Sequence, residues 1–344
     1  MKILVTGAAG FIGGQLYHKL WQQGNSVVGI DNFSYGNLDN LRFDDIDLST
    51  KIITMDIREQ NTILNLFEQN QFDIVYNMAG VAPLPDCQNN PVEAVSVNIG
   101  GLVNLLECGR KTGIKHLVQA STNAIYENEV NFPTVEDNFL PPTLIYPNTK
   151  YCAERFCQSF CDTYNMNVTC LRFANVYGPH IDCLRKQPPF VGYMIRELYY
   201  NHVPEFHSDG NQRRDYIYVD DLINLALKVI HREGFDAVNV SSNSNYSVKE
   251  LYAIACELMK KDIDANYNPP MRYWKKYPEL YQGAYSIKPE ILEHEVNKYS
   301  LCDNKLAKTK YNWEPEIDIR EGLKRVIEAE CEMLKNRDLA KGIE

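Results

Sequence analysis

A glycine-rich turn near the start of the chain constrains the fold more than any other sequence feature. Four apolar or β-branched residues precede Gly7-Ala8-Ala9-Gly10-Phe11-Ile12-Gly13, and a helical pattern begins at Phe11. Glycines at a strand-to-helix junction allow the backbone to turn tightly and to approach a pyrophosphate at the N-terminus of the helix. The spacing is G-x-x-G-x-x-G, and such a pattern is weak when it stands alone. Its position between a first strand and a first helix strengthens it.

An acidic residue closes the second predicted strand. Asp31 follows Val27-Val28-Gly29-Ile30 and lies 18 positions after Gly13. A carboxylate there accepts hydrogen bonds from adenosine ribose hydroxyls and repels a 2′-phosphate, so we predict NAD rather than NADP as the cofactor. The alternative for Asp31 is a solvated aspartate in a turn. Asp56, after the third predicted strand, either contacts the adenine ring or caps the next helix.

Residues 1–175 alternate short β-branched strands with amphipathic helices, which is the pattern of a parallel sheet with helices on both faces. We therefore predict an α/β fold, a Rossmann-type doubly wound parallel sheet with a smaller α/β C-terminal substrate domain. The predicted strands are 2–6, 26–30, 51–55, 73–77, 115–121, 167–173 and 237–241. The predicted helices are 11–23, 59–69, 91–112, 147–164, 220–230, 248–260 and 319–334.

The length of the chain predicts two domains. At 344 residues it exceeds the size at which a single hydrophobic core keeps growing. We assign residues 1–175 to an NAD-binding domain to which 215–245 return, and residues 176–214 and 246–335 to the smaller substrate-binding domain.

Composition excludes several classes of partner. The 35 Lys and Arg residues against 45 Asp and Glu give a net charge of -10 without a basic stripe, so we expect no nucleic acid. No apolar run approaches the roughly 18 residues of a membrane helix, and the N-terminus is too short for a signal-peptide core. The cysteines lack the paired spacing of a zinc site, so we predict no metal. We expect a cytoplasmic protein.

A tyrosine and a lysine form the candidate catalytic pair. Tyr146 and Lys150 are four residues apart at the start of a predicted helix, and therefore lie on one face. A free tyrosine has a pKa of about 10 and is a poor base at neutral pH, but a nearby ammonium and a positive nicotinamide both favour the phenolate. Thr122 ends the fifth predicted strand, at the edge where ligands bind in doubly wound sheets. Its hydroxyl can bind the reacting oxygen of a substrate.

The glycine turn, Asp31, Thr122 and the Tyr146–Lys150 pair occur in an order and at separations that resemble the extended short-chain dehydrogenase/reductase family. The resemblance spans residues 1–335 and is closest to the nucleotide-sugar enzymes, in particular the UDP-sugar 4-epimerases. Residues 31–41 look like the cofactor-covering loop of those epimerases. The implied cofactor is NAD and the implied partner is a nucleotide-diphosphate sugar.

The resemblance also implies roles for individual residues. Tyr146 would take the proton from a sugar hydroxyl, usually on C4, Thr122 would bind the same oxygen, and Lys150 would bind the nicotinamide ribose. Asn98 matches an asparagine that steadies this region. The implied cofactor-binding residues are Gly7, Gly10, Phe11, Ile12, Gly13, Asp31, Asn32, Asp56, Ile57, Ala79, Asn98, Tyr146 and Lys150.

The implied substrate-binding residues lie mainly in the second half of the chain. Asn175 resembles the asparagine that contacts the diphosphate, and Arg214 resembles the arginine that binds a phosphate, which suits a guanidinium. The alternative for Arg214 is an ion pair with Asp215 or Asp220. Ser300 falls at the position that limits bulk at the sugar C2. The full set of implied substrate-binding residues is Thr122, Asn123, Asn175, Arg214 and Ser300.

The residues after Thr122 help to choose among the family's reactions. The related 4,6-dehydratases follow their threonine with Asp-Glu and the decarboxylases keep a glutamate, whereas here Asn123 and Ala124 follow. Elimination lacks its acid and base, so we favour a 4-epimerase that acts through a transient 4-keto intermediate. The alternatives are a C4 dehydrogenase or 4,6-dehydratase of the same family and, from another class, a non-catalytic NAD-binding regulatory or scaffold protein.

The chain departs from the family pattern at Asn77-Met78-Ala79-Gly80, where the family more often has a histidine and two alanines, and at two single residues. Glu127 replaces a glycine after Tyr126. Glu293 falls where 4-epimerases carry a second phosphate-binding arginine, so either another cation substitutes for it or the substrate is not a UDP-hexose. The candidate cations are Lys288, Lys298 and Arg272.

Family members commonly form homodimers through the helices that correspond to 91–112 and 147–164, and we expect the same here. The apolar side chains proposed for the outer faces are Val92, Val95, Leu102, Leu105, Phe156 and Phe160. The alternative is that these side chains pack on the sheet.

Overall fold

The fold is described by a computed structural model that covers residues 1–137, 139–185 and 187–341. The strands in these ranges are β1 (Lys2–Thr6), β2 (Ser26–Asp31), β3 (Arg42–Phe43), β4 (Ile46–Asp47), β5 (Ile52–Thr54), β6 (Ile74–Asn77), β7 (His116–Thr122), β8 (Val168–Phe173), β9 (Asn175–Tyr177), β10 (Glu205–His207), β11 (Arg213–Tyr218), β12 (Phe235–Val240), β13 (Asn245–Ser247) and β14 (Asn266–Asn268). The α-helices are α1 (Phe11–Gln22), α2 (Gln60–Asn70), α3 (Leu84–Asn89), α4 (Pro91–Val95), α5 (Leu102–Thr112), α6 (Ile145–Tyr164), α7 (Phe190–Tyr199), α8 (Val219–Lys228), α9 (Val248–Met259), α10 (Met271–Trp274), α11 (Pro289–Asn297), α12 (Lys305–Tyr311) and α13 (Ile319–Ala340).

Seven parallel strands form the central sheet, in the order β12-β8-β7-β6-β1-β2-β5. Strands β6, β7 and β8 are buried at every residue, because helices cover both faces of a parallel sheet. The strand order reverses between β1 and β6, which is the point where ligands bind in such sheets. The predicted α/β doubly wound fold is confirmed.

Two hydrophobic cores lie on opposite faces of this sheet. Side chains alternate along β1, so Ile3 and Val5 belong to one core and Leu4 belongs to the other. Leu16 of α1 packs in the first core, and Phe67 of α2 packs in the second. Each fully buried side chain of this size contributes roughly 1.5–3 kcal/mol of stability, so the two faces together fix how α1 and α2 lie on the sheet.

The predicted helix 91–112 is interrupted. Between α4 and α5 the residues Ser96–Gly101 form a π-helical turn, a rare element that is frequent at functional sites. Leu102 and Leu105 are fully buried in the core under the sheet. Their predicted place on an outer face is therefore wrong, because the wider turn changes which face of the following helix points inward.

The second half of the chain adds a three-stranded sheet, a pair of short strands and three packed helices beside the central sheet. Strands β9, β11 and β13 form a three-stranded sheet, and β10 pairs with β14. Helices α7, α9 and α13 share a separate core with these strands. Strand β12 lies beside β8 in the central sheet, so the chain returns there after β11. The division into two domains stays a prediction.

Two features are absent from residues 1–137, 139–185 and 187–341. None of the helices in them combines the length and the apolar character that a membrane crossing requires. Nor do these residues include three or more His, Cys, Asp or Glu side chains grouped so as to bind a metal ion.

Candidate active site

The glycine turn after β1 is packed so closely that side chains do not fit. Gly7 has a φ of 65°, and a Cβ built on it would lie 2.7 Å from the main-chain nitrogen of Ala79. A Cβ on Gly13 would lie 2.0 Å from the carbonyl oxygen of Gly7. Gly10 is the N-cap of α1 and has no side chain to cap it, which leaves N–H groups of the first turn for an external acceptor. This geometry fits a pyrophosphate.

One cavity beside the turn gathers many of the predicted cofactor residues. At its centre, Asp31 accepts hydrogen bonds from the N–H groups of Ala9, at 3.0 Å, and Phe33, at 2.7 Å. Burial raises the pKa of the Asp31 carboxyl, and these two hydrogen bonds oppose the rise. Each carboxylate oxygen keeps a lone pair for a ribose hydroxyl. The predicted residues that line this cavity are Gly7, Gly10, Asp31, Asn32, Asp56, Ile57 and Ala79.

Asp56 is not the cap of the next helix. Helix α2 begins at Gln60 with Glu59 in the N-cap position. The Asp56 carboxylate instead accepts hydrogen bonds from the Arg58 guanidinium, at 2.7 Å, and from the Asn32 amide, at 2.9 Å. The hydrogen bond from Arg58 is the main reason that the pKa of Asp56 is lowered to about 2. The predicted cap is therefore absent, and the contact of Asp56 with the adenine ring stays a prediction.

The three predicted catalytic residues lie together at the carboxyl edge of the sheet. Thr122 ends β7, Tyr146 lies in the first turn of α6, and the Thr122 hydroxyl is close enough to lower the pKa of the Tyr146 phenol. One turn later, Lys150 donates to the carbonyl oxygen of Ala120 at 3.0 Å. A Cβ on Gly80 would lie 3.1 Å from the Lys150 ammonium, so the lysine lies beside the chain that leaves β6.

Burial dominates the charges of this pair. It raises the pKa of Tyr146 to about 12, against the opposing effect of the Thr122 hydroxyl, and it lowers the pKa of Lys150 to about 8. The sequence predicted that the lysine ammonium and a positive nicotinamide together favour the phenolate, and this stays a prediction. Without a bound nicotinamide, burial is the largest influence on the pKa of the phenol.

Asn98 supports this arrangement from the π-helical turn. Its amide nitrogen donates to the carbonyl oxygen of Val81, at 3.0 Å, and to the hydroxyl of Thr149, at 2.9 Å, while its oxygen accepts the Val81 N–H at 2.8 Å. The side chain is almost fully buried. Asn98 therefore joins the segment after β6 to the catalytic helix next to Lys150.

The short helix α3 contributes residues that sequence reasoning missed. Cys87 is buried close enough to Tyr146 and Lys150 to influence the pKa of both, and its thiol donates to the carbonyl oxygen of Val81 at 3.3 Å. Tyr35 of the predicted covering loop donates to the Asp86 carboxylate at 2.8 Å. No periodic pattern marks a helix this short, and a single cysteine has no spacing signal.

Arg214 contacts main-chain oxygens at the C-terminal end of α11. Its guanidinium donates to the carbonyl oxygens of Glu295, at 2.9 Å, and Val296, at 3.2 Å, and also to that of Lys298. Within the described ranges these contacts, and not an ion pair with an aspartate, hold Arg214. The C-terminal end of a helix carries partial negative charge, so it stabilises the positive charge of the Arg214 guanidinium.

The other predicted substrate residues lie near Arg214 or Thr122. The Asn175 amide, at the start of β9, donates to the carbonyl oxygen of Asp215 at 2.9 Å, and the Ser300 hydroxyl accepts the Asp215 N–H at 3.2 Å. Asn123 begins the 3-10 turn that follows Thr122. The structure thus places three of these residues around β11, and their contacts with a substrate stay predictions.

The residue at the expected arginine position is exposed to solvent. Glu293 is exposed on α11, next to the buried Leu292. Two candidate replacement cations already have partners, since Lys298 pairs with Glu295 at 2.7 Å and Arg272 pairs with Glu205 at 3.0 Å. Lys288 is exposed at the N-cap of α11.

Sequence comparison finds a family model and related proteins that cover most of the chain. The model of the NAD dependent epimerase/dehydratase family matches residues 3–241. A UDP-glucuronate 4-epimerase of Thermodesulfobacterium geofontis is 28% identical over 335 residues, covering 94% of this chain and 94% of the relative. UDP-glucuronic acid decarboxylase 1 of Arabidopsis thaliana is 27% identical over 351 residues, covering 100% of this chain and 73% of the relative.

Comparison of structures gives a similar result over the whole fold. The crystal structure of the UDP-glucose 4-epimerase of Thermotoga maritima with UDP-glucose superposes with a TM-score of 0.85 at 29% identity. The match covers 97% of this chain and 100% of the other. Both the central sheet and the smaller C-terminal sheets are therefore shared with a solved relative.

Proposed function

The chain belongs to the NAD-dependent epimerase/dehydratase family, and from that premise we propose that it is a nucleotide-sugar 4-epimerase acting through a transient 4-keto intermediate. The observation that carries the proposal is the cluster of Thr122, Tyr146 and Lys150 at the carboxyl edge of the sheet, with an amide at Asn123 and a methyl group at Ala124 directly after Thr122. The cluster supplies a proton acceptor for an alcohol, and the residues after Thr122 supply no second acid.

The described residues fit NAD. The glycine turn leaves space only for backbone and an anion, and Asp31 and Asp56 line the adjoining cavity. When bound, NAD supplies an acceptor for the hydride of the reacting carbon and the positive ring that the buried phenol lacks. Lys150, whose ammonium lies beside Gly80, would bind the nicotinamide ribose.

The chain's own residues would carry the proton and orient the sugar. Tyr146 would accept the proton of the C4 hydroxyl as the phenolate, and Thr122 would bind the same oxygen. Lys150 would keep the phenolate charged. On reduction from the opposite face, Tyr146 would return its proton to the C4 oxygen, so the cycle is balanced and needs no additional acid. Positioning and electrostatics are the protein's contribution.

We propose a UDP-sugar as the substrate and the cytoplasm as the place of action. Arg214 of β11 and Asn175 of β9, the strand that pairs with β11, are residue types that suit a diphosphate, since a guanidinium binds phosphate oxygens in pairs. Two of the related epimerases carry UDP in their names, one with glucose and one with glucuronate. The experiment described next identifies which sugar the protein converts.

The test is to incubate the protein with UDP-, GDP- and dTDP-sugars in D₂O and to identify the products by NMR. A 4-epimerase returns the substrate's own hydrogen to C4, so we expect the C4 epimer of one sugar without deuterium on carbon. A deoxy-keto product with deuterium on carbon would show a dehydratase, and stoichiometric free NADH would show a dehydrogenase. Either result would contradict the proposal.

A further inference from the structure

A buried carboxylate stands where the resembling family more often has a glycine. Glu127 follows the 3-10 turn Asn123–Tyr126, whose N-cap is Thr122. The residue is only 6% exposed. The turn is closed by a hydrogen bond from the Glu127 N–H to the carbonyl oxygen of Ala124, at 3.0 Å, so Glu127 is rigidly connected to the end of β7.

The side chain of Glu127 binds the start of the catalytic helix. One carboxylate oxygen accepts the N–H of Leu144 at 2.7 Å and also the N–H of Thr143. Leu144 is the N-cap of α6 and has no side-chain acceptor of its own. Gln88 of α3 accepts the next N–H, that of Ile145, at 3.2 Å. The first turn of α6 is therefore capped by residues that lie outside the helix.

The charge of Glu127 suits this position. A carboxylate at the N-terminus of a helix is stabilised by the partial positive charge there. The other charged groups that influence it are Glu295, in the last turn of α11, and Lys298, which directly follows that helix. Burial is the largest influence on Glu127 and raises the pKa of its carboxyl, with Glu295 raising it further and Lys298 lowering it.

We propose that Glu127 is a positioning residue that fixes the separation between the Thr122 hydroxyl and the Tyr146 phenol. One end of the connection is the turn after Thr122, and the other is the pair of N–H groups that immediately precede the helix of Tyr146. This inference rests on the roles proposed above for Thr122 and Tyr146. A glycine at position 127 would leave both N–H groups without this acceptor.

The variants Glu127→Ala and Glu127→Gln separate the hydrogen bonds from the charge. Alanine removes the acceptor, so the first turn of α6 loosens and Tyr146 shifts. A misplacement of about 1 Å costs up to 10²-fold in rate, so we expect kcat to fall at least about tenfold. KM should change less than about twofold, because the substrate residues at β11 are untouched. Glutamine keeps a carbonyl oxygen for the same N–H groups and should restore most of kcat.

Glu127→Asp provides a second comparison if the alanine variant does not fold. It keeps the charge but shortens the side chain by one methylene, so a positioning role predicts a lower kcat for aspartate than for glutamine. A role for the charge alone predicts the opposite order and would overturn the proposal.

Glu129→Ala is the matched control. Glu129 lies two residues after Glu127 and accepts the N–H of Leu140 at 2.5 Å. Leu140 is in the same loop as Thr143 but four residues before the N-cap of α6. We expect its loss to leave kcat within about twofold of the wild-type value. An equal loss of kcat in the two alanine variants would mean that Glu127 only stabilises the loop.

Amide hydrogen exchange of the NAD-loaded proteins gives a readout that needs no turnover. Glu127→Ala should speed exchange at Thr143 and Leu144, whereas Glu127→Gln and Glu129→Ala should not. Unchanged exchange in Glu127→Ala, or an unchanged kcat, would overturn the proposal. If the wild-type protein converts no sugar nucleotide, the proposed function fails, and the exchange data still decide whether Glu127 holds the start of the helix.

Discussion

At the scale of single residues, burial controls the chemistry of the site. Lys150 is enclosed between the sheet and α6, and its pKa is lowered to about 8 because burial penalises its charged form. At neutral pH the folded protein therefore carries a buried ammonium. Among the described hydrogen bonds, only the one to the carbonyl oxygen of Ala120 stabilises its charge directly. If Lys150 has the role proposed above, the site carries it at a cost in stability.

The variant Lys150→Met should show this cost. The lysine has an ordinary pKa of 10.5, so the unfolded chain binds its proton more tightly than the folded one. Below pH 8 the penalty is fully present, and it disappears as the pH rises toward 10.5. We expect Lys150→Met without added cofactor to be more stable than wild type at pH 7, by on the order of 2 kcal/mol.

Urea unfolding at pH 7 and pH 10 measures this difference, with Lys324→Met as the control because Lys324 is exposed on α13. The difference between Lys150→Met and wild type should shrink at the higher pH. A destabilised variant at pH 7, or a difference that does not depend on pH, would contradict this account of Lys150.

At the scale of elements, the turn between β1 and α1 depends on backbone contacts that only glycine permits. A Cβ at Gly13 would lie 2.0 Å from the carbonyl oxygen of Gly7, and the obstacle is backbone that cannot rotate away. Gly13→Ala should therefore move α1 away from β1 and weaken NAD binding at least about tenfold, since it displaces the N–H groups at the pyrophosphate position. Isothermal titration calorimetry measures this effect.

Gly100→Ala is the control for this change. Gly100 lies in the π-helical turn and a Cβ there would meet no atom within 4 Å. Its replacement should leave NAD affinity unchanged. Equal affinities in Gly13→Ala and wild type would show that the turn does not bind the dinucleotide.

The central elements were predictable from the sequence because local pattern determines them. Runs of apolar and β-branched residues located β1, β2 and β8 to within a residue or so, and apolar residues at spacings of three and four located α1 and α9. Contacts between distant segments were not predictable. The contacts of Arg214 with carbonyl oxygens and of Glu127 with N–H groups join residues 16 to 84 positions apart, which no local pattern reveals.

At the scale of the whole molecule, an exposed apolar surface supports a dimer. Val92 and Val95 of α4 and Phe156 of α6 remain exposed, with 78%, 45% and 44% of their surfaces accessible. Phe160 is half-buried against the core, and Leu102 and Leu105 pack fully inward. The apolar surface is therefore smaller than the sequence predicted. We propose that two copies of the chain associate through it.

Sedimentation equilibrium at micromolar concentration tests the dimer. The wild-type protein should have twice the chain mass of 39.6 kDa, and the double variant Val92→Glu with Phe156→Glu should have the mass of one chain. Val203→Glu changes an exposed valine on the loop between α7 and β10 and should leave the mass unchanged. A monomeric wild-type protein would contradict the proposed association.

The most direct test of the whole account compares Tyr146→Phe with the wild-type protein. The two should bind NAD with the same affinity, because the phenol oxygen is the only atom removed. Epimer formation from the sugar nucleotide that wild type converts should fall by about 10²- to 10⁴-fold in the variant, the usual contribution of a general base. A Tyr146→Phe variant that converts the sugar at the wild-type rate would show that another group removes the proton.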